Sequence, residues 1–199
     1  LALTTEDIYD NSYALIIGIS EYQNLSHLSY GASDAEAIQN LLISHFDFPE
    51  ENTKLLINVD ATADNIRRAF SDFMNVIDEN DRFLIYFSGH GATESLPNGG
   101  EKGYFLPVDS DPLDLPFSSI STEELQFISN VAKAKHILYL VDATFGGVAK
   151  IGDENNVNLI KLTDLDREDK MNKSRSTTII PGENSYSSPT VYTPSAYIN

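Results

Sequence analysis

Four apolar runs punctuate the chain: Tyr13–Ile19, Leu55-Leu56-Ile57, Phe83–Phe87 and Ile137–Val141. Unbroken runs of this length suit strands covered on both faces. Between them the period changes to three and four. Ile66, Ala69, Phe70, Phe73 and Ile77 mark one helical face behind a candidate cap at Thr62. Ser33-Asp34-Ala35-Glu36 and Ser121-Thr122-Glu123-Glu124 have capping-box spacing. The first opens a helix with Ala37, Ile38, Leu41 and Leu42 on one face, ending near His45; the second opens a helix through Leu125 and Ile128. Tyr104-Phe105-Leu106, after the glycines that begin at Gly99, read as one arm of a small hairpin. This order of elements predicts an α/β fold, a mainly parallel sheet with helices on both faces. The connection from Ser20 to Tyr30 is long for a strand-to-helix loop, which makes it a candidate functional loop.

The candidate chemistry sits where two runs end. Phe83–Phe87 leads into Ser88-Gly89-His90-Gly91. The chain is expected to turn there, with Gly89 and Gly91 taking backbone angles closed to other residues. His90 then lies at the carboxyl end of a central strand, the edge where open α/β sheets place their ligands. The run beginning at His136 leads into Asp142-Ala143-Thr144-Phe145-Gly146-Gly147. If the two strands are parallel neighbours, their ends lie ~5 Å apart laterally. His90 and Thr144 then come within reach, the arrangement nucleophilic catalysis needs. His27, His45 and His136 read as structural or surface residues.

Composition narrows the partners. The 199 residues carry a net charge of −17 and no cysteine. The charge argues against nucleic acid, and suits basic peptides, divalent cations or simply a solvated acidic surface. Disulfides and thiolate metal sites are excluded. No apolar run approaches the ~18 residues of a membrane span and none reads as a signal peptide, so no membrane partner and a cytoplasmic location are expected. A chain that starts at Leu1 is expected to be a piece of something longer. Residues 1–12 read as an N-terminal tether, 13–148 as the main domain, and 149–176, dense in Asp, Glu, Asn and Lys, as a loop or linker. Residues 177–199 contain one short candidate strand, Thr177–Ile180, and then Pro, Ser, Thr and Tyr without helical period.

Taken together, Tyr13–Ile19, Ser33-Asp34-Ala35, Tyr86–Gly91, Gly103–Pro107 with Asp109, and Val141–Gly147 resemble the caspase-like peptidases in order and spacing. The likeness is to the metacaspase, orthocaspase and paracaspase branch, and it spans residues 13–147. The S-G-H-G and D-A-x-x-x-G elements are specific as a pair. The resemblance implies a caspase-like three-layer sandwich. Residues 13–148 match its catalytic, large-subunit-like part, 149–176 its processing loop and 177–199 a partial small-subunit-like segment. It implies a cysteine endopeptidase with His90 as general base and acid. The N–H groups of Gly91 and residue 144 match the oxyanion donors. Asp34 and Asp142, with Glu183 as a third acidic wall, match positions that bind a basic P1 side chain, so the partner is a protein or peptide substrate with Arg or Lys at P1. The caspases that cut after aspartate use arginine there, and none stands at the matching positions. Two local readings stay open: Asp34 supporting a helix start through the dipole, and Asp142 capping a turn.

No cofactor is implied. Some metacaspases respond to calcium, and the run Asp164, Asp166, Glu168, Asp169 is the candidate for Ca2+, although its spacing is not that of an EF-hand and a solvated linker fits it better. Lys150, Lys161, Arg167 and Lys170 fall where the family is processed. Relatives continue past the strand resembling Thr177–Ile180, so the resemblance leaves two alternatives: the remainder is absent here, or another chain, completing or regulatory, supplies it.

One position departs from the family. The nucleophilic cysteine is replaced by Thr144. A thiol of pKa ~8.5 yields thiolate at neutral pH, and a neighbouring histidine lowers that value further. A threonine hydroxyl needs a stronger base, such as the N-terminal amine of threonine proteases, which an internal residue lacks. The expected state is an inactive form of an Arg/Lys-specific endopeptidase domain. The alternative is a natural pseudoprotease acting as a binding or scaffold module.

Overall fold

A computed structural model describes residues 8–97 and 99–147, with the backbone alone for 144–147. The chain runs β1 (Ser12–Gly18), α1 (Gly31–His45), β2 (Thr53–Ile57), α2 (Ala63–Val76), β3 (Arg82–Ser95), β4 (Glu101–Phe105), α3 (Leu115–Ser118), β5 (Ile120–Ser121), α4 (Thr122–Val131) and β6 (His136–Gly147). Strands β2, β1, β3 and β6 lie side by side and parallel. Beyond Ser88, β3 leaves β1 behind and pairs antiparallel with β4 from Gly91 onward, and β5 extends that edge. The sheet is therefore mixed, with a parallel body and a short antiparallel upper flap.

Strand alternation sorts the apolar residues into two layers. Leu15, Ile17, Phe83, Ile85, Phe87, Ile137, Tyr139 and Val141 face Ile66, Phe70 and Phe73 of α2 and Leu125 and Ile128 of α4. On the other face, Ala14, Ile16, Leu84 and Tyr86 meet Ala35 and Leu42 of α1. Helices thus cover both faces of one sheet, the expected three-layer sandwich.

The α2 and α4 starts follow the sequence. Thr62 accepts from the Asn65 N–H, and Ser121 accepts from the Glu124 N–H. Each such cap satisfies one orphan donor of the first turn. A bidentate Arg67–Glu124 pair at 2.7 and 3.0 Å ties the two helices together.

The start of α1 differs from the expectation. It begins at Gly31, two residues before the expected Ser33 cap, and Tyr30 at its N-cap supplies no side-chain bond. The cause is packing: a Cβ on Gly31 would strike the Ile19 backbone, so the helix can start against β1 only through this glycine. Its inner face is correspondingly Ala35, Ile38 and Leu42, while Ala37 is exposed and Leu41 is 42% exposed.

Residues 8–11 lie along the base of the sheet. Asn11 Nδ2–H donates to the buried Asp81 carboxylate at 3.0 Å, and Arg82 stacks between Tyr9 and Phe48. No helix among the described residues is long and apolar enough to cross a membrane.

Candidate active site

Strands β3 and β6 pair directly, and their register sets Ser88 opposite Asp142, His90 opposite Thr144 and Gly91 opposite Phe145. The two strand ends thus meet as parallel neighbours, as the sequence predicts. The backbone at His90 does not. The chain continues extended through Gly89 and Gly91 to Ser95, and the positive-φ glycines among the described residues are Gly99 and Gly100, in the β3–β4 turn. β3 keeps going because β6 and β4 supply partners on its two sides.

Gly89 has a different reason to be glycine. A Cβ there would lie 2.5 Å from the Tyr22 hydroxyl and 3.0 Å from the Phe87 ring. Tyr22 comes from the β1–α1 loop, is 4% exposed, and reaches into the gap between β3 and β4. Its Oη accepts from the His90 backbone N–H at 2.7 Å, and its O–H donates to the Leu106 carbonyl at 3.1 Å. Burial holds the Tyr22 phenol well above its ordinary pKa, against the opposing pull of the His90 N–H, so it stays a neutral donor and acceptor.

The same loop holds the imidazole. His90 Nε2 lies 2.9 Å from the Ser26 carbonyl and 3.4 Å from the Ser26 hydroxyl. A carbonyl oxygen only accepts, so in the neutral ring Nε2 carries the proton and Nδ1 the lone pair. The Tyr22 ring packs on the imidazole with centroids 4.7 Å apart.

The loop itself is pinned at many points. Asn58, at φ 45°, accepts the Ser20 and Glu21 N–H groups on its side-chain oxygen. The Gln23 N–H donates to Val108, and Asn24 Nδ2–H to the Ser110 carbonyl. Asp109 in the same segment accepts the first N–H of α2, from Ala63.

Asp34 and Asp142 each lie toward the carboxyl end of the parallel strands. Asp142 is half-buried and falls on the alternation of Leu138 and Leu140, which pack in the α1-side layer. Asp34 is half-buried in the first turn of α1, whose Gly31 abuts the end of β1. Gly18, Ser88 and Asp142 stand in register across β1, β3 and β6, a span of two strand spacings or ~10 Å. The Leu106 N–H donates to the His90 carbonyl. Alternation along an extended strand therefore turns the Gly91 N–H to the β6 side.

Glu183, the run from Asp164 to Asp169, the cations Lys150, Lys161, Arg167 and Lys170, and the strand expected at Thr177–Ile180 lie outside the described residues. His136 sits at the opposite end of β6, where the Tyr9 hydroxyl meets its Nδ1, and His45 closes α1. Tyr22 and Ser26 are the contributors that sequence reasoning missed as individuals. The one signal was the length of their loop.

Known proteins give the family of the chain. The caspase-domain family model matches residues 11–194. Metacaspase-1 of Eremothecium gossypii is 28% identical over 151 residues, covering 70% of this chain and 32% of its own length. Metacaspase-6 of Arabidopsis thaliana is 32% identical over 132 residues, covering 54% of this chain and 36% of its own. The chain therefore spans about a third of those two relatives. A crystal structure of a protein from Geobacter sulfurreducens superimposes with a TM-score of 0.58 at 16% identity, over 78% of this chain and 55% of that one, and shares the fold. With a family match running through both strand ends, on a three-layer sheet that sets His90 against position 144, the chain belongs to the caspase-domain family.

Proposed function

We propose that this is a metacaspase-type endopeptidase domain, specific for Arg or Lys at P1, in a form that Thr144 keeps inactive. The observation that carries the reading is the register of His90 opposite position 144 on paired parallel strands. With cysteine at 144, the Nδ1 lone pair of His90 takes the thiol proton and the thiolate attacks the scissile carbonyl. The N–H groups of Gly91 and residue 144 are the family's oxyanion donors; both face across the β3–β6 pairing, so the pairing opens at this point when they take up the oxyanion. The imidazolium protonates the leaving amine, and water then releases the acyl group by the same base. The Ser26 carbonyl favours this sequence, because it keeps the proton on Nε2 and stabilises the imidazolium when it forms.

Asp34 and Asp142 supply the acidic end of the crevice. Two carboxylates suit a guanidinium, which offers several donors in one plane. With threonine at 144 the cycle stops at its first step, because a hydroxyl beside an imidazole is not ionised to a useful extent at neutral pH. A completing or regulatory protein chain would close the rest of the crevice.

Cleavage of fluorogenic peptides tests this. Thr144→Cys is expected to hydrolyse substrates with Arg or Lys at P1 and not those with Asp, and Thr144→Cys with His90→Ala is expected to be at background. A second reading rests on Thr144 itself: a pseudoprotease that binds without cutting. It is favoured if Thr144→Cys cleaves nothing while a peptide with Arg at P1 still binds and Asp142→Ala abolishes that binding.

A further inference from the structure

Along one edge of β3, two strands meet without touching. β1 follows that edge as far as Ser88, whose carbonyl accepts from the Ile19 N–H. β4 takes over at Gly91, and the Leu106 N–H bonds the His90 carbonyl. In a regular antiparallel pair the return bond would run from the His90 N–H to the Leu106 carbonyl. Here the Tyr22 hydroxyl stands between those two groups, accepting from one and donating to the other. A neutral hydroxyl is the group that can do both at once. The gap exists because Gly89 leaves room for it.

We infer that Tyr22 is a positioning residue for His90, holding β3 off β4 at that point through its hydroxyl and so fixing where the imidazole sits. The inference deepens the proposed peptidase site and rests on that reading for its catalytic consequence, but not for its structural one. Four residues beyond Tyr22, the same pinned loop presents the Ser26 carbonyl to Nε2. One loop therefore grips the histidine twice, by its backbone N–H and by its ring. Without the hydroxyl, the His90 N–H and the Leu106 carbonyl are left unsatisfied in a buried place, and closing the ladder bond between them is their direct remedy. That closure draws His90 toward β4, away from β6 and from Ser26. The P1 carboxylates lie on other elements and are not moved by it.

The structural arm uses the chain with Thr144 intact, labelled with 15N at its four histidines. His90→Ala assigns the resonances. The ring nitrogens of His90 are expected to show one tautomer, protonated at Nε2. In Tyr22→Phe they are expected to move toward averaged values, while Ser26→Ala, which keeps the carbonyl, is expected to leave them alone. The kinetic arm adds Tyr22→Phe to Thr144→Cys. kcat is expected to fall about tenfold or more, as small displacements of reacting groups do, while KM for a peptide with Arg at P1 stays within about twofold. If Tyr22→Phe does not fold, Gly89→Ala, which pushes the phenol out of the gap without deleting it, is expected to average the tautomers in the same way. A single Nε2-protonated tautomer in either folded variant, or an unchanged kcat in an active enzyme, overturns the inference. If Thr144→Cys proves inactive, the peptidase reading falls while the spectra still decide the role of Tyr22.

Discussion

Replacing Gly89 by alanine adds one methyl group at a close approach beside His90. That carbon would lie 2.5 Å from the Tyr22 Oη and 3.0 and 3.1 Å from two Phe87 ring carbons. The hydroxyl cannot yield cheaply, because it is buried and bonded at 2.7 Å to the His90 N–H and at 3.1 Å to the Leu106 carbonyl. Relief requires the phenol to back out of the gap, which gives up both bonds. Each is worth about 1 kcal/mol net, and more if a buried group is left unsatisfied. Crowding against Phe87 adds about 1 kcal/mol or more. Alanine returns about 0.5–1 kcal/mol by restricting the unfolded chain. The sum is a loss of about 2–4 kcal/mol, or roughly 5–15 °C in Tm for a chain of this size. Urea denaturation followed by far-UV circular dichroism measures it, with the slope m unchanged. Tyr22→Phe removes the closest of the three contacts, so Gly89→Ala should cost at least about 1 kcal/mol less in that background, a coupling that a double-mutant cycle isolates. A loss below about 0.5 kcal/mol, or the same loss with and without the hydroxyl, would refute the close-approach account of this glycine.

Two further outcomes test the scaffold. Asp81 is 1% exposed, and its carboxylate accepts from Asn11 Nδ2–H at 3.0 Å and from the Asp78 N–H at 2.8 Å. Asp81→Ala removes both charge-assisted bonds and is expected to cost about 2–4 kcal/mol in urea titration; a change under about 0.5 kcal/mol would show that water replaces the carboxylate without loss. At high pH the buried tyrosines matter. Burial pushes the Tyr139 phenol up to about 12, and burial together with a hydrogen bond to Glu94 pushes Tyr104 up to about 12, from an ordinary 10.0. A raised folded-state value means the native state holds protons that the unfolded chain releases. Their stabilisation is complete below pH 10 and is lost as the pH rises toward 12, by about 2–3 kcal/mol for Tyr139. Phenolate absorbance should rise in two stages, the second coinciding with loss of circular dichroism; a single stage near pH 10 with the fold intact would contradict it.

What the sequence by itself determined is local. The period of Ile66, Ala69, Phe70, Phe73 and Ile77 marks the buried face of α2, because a helix repeats within a few residues. Thr62 and Ser121 cap their helices because an N-cap bond spans three residues. The unbroken apolar runs announce strands covered on both sides, and the S-G-H-G and D-A-x-x-x-G elements at their ends announce the family. Tertiary structure decided the rest. α1 starts at Gly31 because Ile19 leaves no room for a side chain there, not because of the capping pattern two residues later. β3 runs past its glycines because β4 and β6 offer partners that no stretch of β3 encodes. The grip of Tyr22 and Ser26 on His90 joins residues 68 and 64 positions apart, with no local period or cap to betray it. Contacts of that kind form only when separate elements pack, so the chemistry at His90 is written in residue types while its geometry belongs to the fold.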